Sequence, residues 1–173
     1  MLVAVHTRFL ANGVRVAVRP IAAGDKELLQ DGLRRLSRES AERRFLAPKA
    51  RFSAAELRYL TEVDGIDHVA LVAVNAADPD ELVAVGRFVR LREDPRVADI
   101  AIVVWDRHQG MGLGGYLGAL LAREARERGI ERFSATMRQD NEPAHRLLAS
   151  ISSQLVEGSE GYGVHDWIAD LAA

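Results

Sequence analysis

The sequence predicts an α/β (α+β) fold on one mixed sheet, antiparallel in its early strands and crossed once, late, by a parallel β–α–β unit. Three observations predict it. Asn12-Gly13 lies between TRFLA and VRVAVRP, the strongest short signal of a β-hairpin. Three apolar, β-branched segments between His68 and Trp105 are separated only by short polar turns, which is most simply an antiparallel meander. A glycine-rich turn, one amphipathic stretch and a further strand, RFSATM, come next. A strand reached through a helix pairs in parallel with the one before it.

The elements follow in order. Pro20 ends the second strand of the hairpin. From Gly24 to Ser37, Leu28, Leu29, Leu33 and Leu36 recur at helical spacing. A second helix is expected from Glu39 to Leu46, stopped by Pro48. Ser53 with Glu56 three residues on is a capping box, so a third helix starts at Ala54. The helical block thus spans Asp25 to Thr61. HVALVAV (His68 to Val74) is a strand, NAADPD with Pro79 inside it a turn, and ELVAVGRFVRL and ADIAIVVW two more strands. The helix after the glycine turn runs from about Gly114 to Arg128, with Gly129 as its C-cap residue. EPAHRLLASI is a helix with Pro143 in its first turn, where proline is tolerated. QLVEG and YGVHDWIADL form a final strand pair. There is no internal repeat, low-complexity tract or linker.

A chain of 173 residues is expected to form one domain over 1–173. Its 48% hydrophobic content suffices for a sizeable core. A net charge of −2 argues against binding nucleic acid through phosphates, which takes a more basic surface. The absence of cysteine removes disulfides, thiolate metal sites and cysteine nucleophiles together, and fits a cytoplasmic location. MLVAVHTRFLANG has neither a basic leader nor a long apolar core, so no signal peptide is expected. No run approaches the roughly 20 apolar residues of a membrane span.

Within HQGMGLGGYLG (His108 to Gly118), four glycines fall in six residues between IAIVV and the helix. A glycine-rich turn from strand to helix is a phosphate cradle. A Walker loop is excluded, because Tyr116 and Leu117 follow Gly115 where lysine and a hydroxyl are needed. Gly110, Gly112 and Gly115 satisfy the dinucleotide fingerprint GxGxxG. However, only one further βα unit follows, and DRHQ separates the strand from the first glycine. The remaining reading is Ile102-x-Val104, four spacers, then Gln109-x-x-Gly112-x-Gly114.

That pattern resembles the acetyl-CoA loop of the GNAT superfamily of N-acetyltransferases, and the order of elements resembles theirs over nearly the whole chain. The resemblance implies a GNAT fold with helices on both faces of the sheet. It implies acetyl-CoA as co-substrate, held by Ile102, Val103, Val104, Gln109, Gly110, Met111, Gly112, Leu113, Gly114, Gly115 and Asn141, with no metal. The physics agrees: helix-terminal N–H groups and the helix dipole favour phosphate, and glycine lets it approach the backbone. Asn141 stands where these enzymes place an asparagine that hydrogen-bonds the pantetheine arm. It is equally a good N-cap whatever the function.

Acetyl transfer to an amine requires a base, because a lysine ammonium has a pKa of about 10.4. It also requires stabilisation of the thioester oxygen. By resemblance, the backbone N–H near Val103 or Val104 polarises the carbonyl, and Asp99 is the base. Many relatives carry glutamate there, one methylene longer, so a bridging water would restore the reach. As a surface residue, Asp99 would simply be a solvated strand-edge carboxylate. The tyrosine that other members use as general acid is replaced by Leu148, which leaves Tyr162 or Tyr116. The usual Gly-Phe after this helix is replaced by Ser152, Ser153 and Gln154.

VAVRPI and RRLSRESAERRFLAPKARFSAAELRYLTEVDGIDHVALVAV look like the acetyltransferase domain of actinobacterial protein lysine acetyltransferases. Some of these modify acyl-CoA synthetases. The resemblance implies a protein lysine as the preferred acceptor. A chain of this length has no room for the cyclic-nucleotide-binding domain fused to some relatives. The rival readings are a small-molecule amine acetyltransferase and a non-catalytic acyl-CoA-binding module. No nucleic-acid or membrane partner is expected, and the oligomeric state stays open.

The arginine-rich run Arg34 to Arg51 reads as a solvated helix face. The five histidines are scattered, without ligand spacing. His108 reads as loop surface, and Trp105 and Trp167 as packing residues.

Overall fold

The computed structural model describes residues 5–161 and 163–171. Strand β1 (His6–Phe9) and β2 (Arg15–Pro20) make the expected hairpin. Its connection closes with the Leu10 N–H donating to the Val14 carbonyl at 2.8 Å. A 3₁₀ turn (Ala23–Asp25) then leads into α1 (Lys26–Arg35). That helix starts two residues after Gly24, the start expected from the sequence, and Arg19 holds Asp25 just before it through two 2.8 Å hydrogen bonds. Helix α2 (Arg38–Phe45) is capped by Ser37 and ends at Leu46, which is left-handed at φ 57°. Helix α3 (Ala54–Thr61) carries the Ser53–Glu56 capping box.

The meander is β3 (His68–Asn75), β4 (Asp78–Arg90) and β5 (Val97–Val104). Pro79 lies inside β4, not in the turn as the sequence suggests. The β3/β4 register slips from Val74↔Leu82 to Asn75↔Asp78. Pro79 therefore falls in an irregular stretch with no ladder partner, where a missing N–H costs nothing. A 3₁₀ turn (Asp106–His108) and the glycine loop lead to α4 (Leu113–Glu127), β6 (Arg132–Arg138), α5 (Glu142–Ile151), β7 (Gln154–Gly161) and β8 (Val164–Asp170).

The sheet order is β1-β2-β3-β4-β5-β6-β8-β7. Among the described residues, only β5 and β6 pair in parallel; every other pairing is antiparallel. Helices cover both faces. Leu117 and Leu121 of α4 and Leu148 of α5 pack with Phe88 and Phe133 on one side. Leu29 of α1 packs with Val72, Leu82 and Trp105 on the other. The two phenylalanines are fully buried with ring centroids 5.8 Å apart, and truncating either would cost about 3–5 kcal/mol.

The parallel ladder is short. It pairs Val97 to Asp99 with Arg132 to Ser134 and then stops. Beyond it, β5 and β6 are lined up along a cleft instead of along each other.

Candidate functional site

The cleft begins at this fork and has a volume of about 480 Å³, within the range of small-molecule sites. Ile100, Ile102 and Val104 of β5 form one wall, and Ala135 and Met137 of β6 the other. The glycine loop closes one end, and α5 residues Pro143, Ala144 and Leu147 one side. Its charged lining consists of Arg43, Arg44 and Arg146, with His108 alongside, and no described carboxylate. In a chain of net charge −2, that concentration of cations favours an anionic ligand.

Antiparallel alternation decides which backbone groups face the cleft. The Trp105 N–H donates to Val83 of β4 at 2.9 Å, and β5 continues in register as Val103↔Val85. The amide of Val103 is therefore turned toward β4, and those of Ile102 and Val104 toward the cleft. The sequence alone left Val103 and Val104 equivalent.

The loop is built for close approach. Gly110 and Gly112 hold φ of 73° and 78°, values that glycine adopts without strain. Gly112 is the N-cap residue of α4, with no side-chain cap and no acidic residue in the first turn. The first intrahelical bond runs from Tyr116 N–H to the Gly112 carbonyl at 3.1 Å. The amides of Leu113, Gly114 and Gly115 have no partner within the helix. Gln109 pins the loop back: its Nε2 donates to the Val104 carbonyl at 2.9 Å and to Ser40 Oγ at 3.0 Å. Asp106 fastens α2 to the same loop, accepting from Ser37 N–H at 2.9 Å and Ser40 Oγ at 2.7 Å. Burial alone would raise its carboxyl, but the Ser37 and Ser40 hydrogen bonds outweigh that and hold it below its ordinary value.

Asp99 is the last residue of the parallel ladder, opposite Ser134. Alternation sets it on the same face as Val103, opposite to Ile100, Ile102 and Val104. It reaches solvent, yet surrounding protein pushes its carboxyl above its ordinary value. Arg44 draws it back, and Asp166 adds to the rise. Asp99 itself does not line the cleft; Arg44, whose charge it feels, does.

Most sequence-predicted residues gather here. Ile102, Val103, Val104, Gln109, Gly110, Gly112, Leu113, Gly114, Gly115 and Asn141 line the cleft, and Met111 packs half-buried against the core instead. Asn141 caps α5, its Oδ1 accepting from Ala144 N–H at 3.4 Å. Leu148 lines the cleft and is buried. Tyr116 is not among the lining residues, and Tyr162 lies outside the described residues. His108 is not loop surface: it is buried, with Nε2 3.4 Å from Glu81 Oε1. Nor is the arginine run wholly a solvated face, since Arg43 and Arg44 line the cleft. Among the described residues, no three His, Asp or Glu side chains gather to hold a metal ion, and no helix is long and apolar enough to cross a membrane.

Comparison with known proteins places this geometry in context. The model of the Acetyltransferase (GNAT) family matches residues 31–151. Acetyltransferase Pat of Mycolicibacterium smegmatis is 32% identical over 144 residues, which cover 83% of this chain and 43% of Pat. The chain thus spans less than half the length of that relative. The crystal structure of the GNAT domain of S. lividans PAT superposes with a TM-score of 0.84 at 30% identity, covering 96% of this chain and 97% of that one. The fold is also shared with yncA, a putative acetyltransferase from Salmonella typhimurium solved with its cofactor acetyl-CoA, at a TM-score of 0.67 and 16% identity. That match covers 91% of this chain and 94% of the other. The resemblance of this chain to actinobacterial acetyltransferases, expected from the sequence, is thereby borne out.

Proposed function

Since the chain belongs to the GNAT acetyltransferase family, we propose that it transfers an acetyl group from acetyl-CoA to a primary amine, preferably a protein lysine side chain, directly and without an acyl-enzyme. The observation that carries the reading is the cleft itself. Its cationic, carboxylate-free lining and the partnerless amides of Leu113 to Gly115 suit a pyrophosphate. The apolar walls beyond suit a pantetheine arm. Relatives named Pat support a protein acceptor.

Acetyl-CoA supplies the activated thioester. The residues of this chain do the rest. Gln109 to Gly115 bind the pyrophosphate, and Asn141 the pantetheine amides. The Val104 amide, aimed into the cleft, donates to the thioester oxygen as it gains charge; Ile102 offers a second such amide. Asp99 lies earlier on the same strand, with its side chain on the Val103 face, and takes the proton of the incoming ammonium. Its raised pKa brings it nearer to that of the proton it must take. Leu148 offers no proton, so the thiolate leaves without a general acid on that helix.

The test is thiol release from acetyl-CoA against a panel of lysine-bearing proteins and small amines. Turnover on protein lysines above that on free amines supports the reading. Failure of every amine would leave only an acyl-CoA-binding module.

A further inference from the structure

We infer that Arg8, on the N-terminal hairpin, grips the pyrophosphate of the cofactor from the edge of the sheet. The inference rests on the acetyl-CoA reading above. It concerns a residue that precedes the matched family segment, which begins at residue 31.

Strand β1 pairs Arg8 with Val16, whose side chain is fully buried in the core beneath α4. Cross-strand partners share a face, so the register aims the Arg8 side chain at α4. Its guanidinium carbon stands 4.8 Å from the centroid of the Tyr116 ring, a cation–π contact that orients the planar group. Its Nη2 lies 3.8 Å from where a Cβ on Gly112 would stand. Gly112 is the N-cap residue of α4, so the cation hangs beside the three partnerless amides. Among the described residues, Arg8 makes no hydrogen bond and no ion pair. A guanidinium stacked on an aromatic ring keeps its N–H edges free for phosphate oxygens. The hairpin thus supplies the positive charge that the loop, lacking a Walker lysine, does not contain.

The test compares wild type with Arg8→Ala and Arg8→Lys by calorimetry and steady-state kinetics. Three ligands are used: acetyl-CoA, acetyl-3′-dephospho-CoA and acetyl-pantetheine. We expect Arg8→Ala to weaken acetyl-CoA binding about tenfold, the scale of one lost charge-assisted hydrogen bond. The loss should appear in the KM for acetyl-CoA, with the variant still folded. Arg8→Lys, charged but unable to stack, should fall between the two. The penalty should persist with the 3′-dephospho form and disappear with acetyl-pantetheine, which lacks the pyrophosphate. Undiminished binding by Arg8→Ala would overturn the assignment, as would an equal penalty with acetyl-pantetheine. A penalty lost with the 3′-dephospho form would move Arg8 to the 3′-phosphate and also overturn it. If wild type binds none of the three, the acetyl-CoA reading itself fails, a distinct result.

Discussion

The side-chain amide of Gln109 donates to the backbone carbonyl of Val104 at 2.9 Å. One bond thus joins the glycine loop to the residue of β5 whose own amide faces the cleft. Because the same nitrogen also reaches Ser40 of α2, strand, loop and helix move as one unit. Gln109→Ala should loosen all three. The expected result is a rise of about fivefold in KM for acetyl-CoA, near 1 kcal/mol for hydrogen bonds of this kind, with a smaller fall in kcat. Steady-state kinetics on one acceptor checks it.

Helix α1 is seated at the same end of that strand. Trp105 Nε1 donates to the Gly32 carbonyl at 2.7 Å, and a Cβ at Gly32 would come within 2.7 Å of both Leu82 and Trp105. Gly32→Ala should lose about 1–2 kcal/mol, overpacking outweighing the gain in helix propensity. Gly24→Ala, with nothing within 4 Å of its added Cβ, is the control. Denaturant unfolding followed by tryptophan fluorescence separates the two.

With Asp99 as the proposed base, its carboxyl should set the acid side of the pH profile. The base is active as the carboxylate, so activity falls as pH drops through its raised pKa. Arg44 holds that pKa down; Arg44→Gln should therefore move the acid limb to higher pH. Asp99→Asn should lower kcat about 100-fold or more and spare acetyl-CoA binding. Rate–pH profiles of the three proteins decide it, and an unmoved limb in Asp99→Asn would remove Asp99 as the base.

A second titration governs stability. His68 is buried, and its Nε2 accepts from Arg87 Nη1 at 3.0 Å, which requires a neutral ring. Burial, then the Arg87 charge, lowers its pKa to about 4. Between about 4 and the ordinary 6.5 the unfolded chain binds a proton that the folded one does not. Stability is therefore full above that window and lost as pH falls through it, by at most about 3 kcal/mol. His68→Gln keeps an acceptor for Arg87 without titrating. Its Tm should fall less than that of wild type between pH 6.5 and pH 4.

Much of this was legible in the chain itself. Caps and leucine spacing are local signals, and Ser53, Gly129 and Asn141 mark helix ends in the sequence as in the structure. The parallel crossover follows from one helix between two strands. What escaped depends on contacts made at a distance. Arg43 and Arg44 face the cleft because Ser37 and Ser40 hold α2 against Asp106, 66 to 69 residues away. The choice of Val104 over Val103 needs the β4 register. His108 is buried because Glu81, 27 residues earlier, receives it. Pro79 is tolerated in a strand only through an irregularity in the β3/β4 register. None of these has a short-range signature.

The most direct test of the account is calorimetric binding of acetyl-CoA, with NAD as control, to wild type and Gly112→Asp. Aspartate tolerates the left-handed region better than most residues, so the 78° φ at that position need not prevent folding. Its carboxylate would lie at the first-turn amides and beside Arg8 Nη2, 3.8 Å from the new Cβ, occupying and repelling the phosphate site. The account predicts that wild type binds acetyl-CoA but not NAD, and that the variant folds and binds neither. Undiminished acetyl-CoA binding by the variant, or NAD binding in its place by wild type, would contradict it.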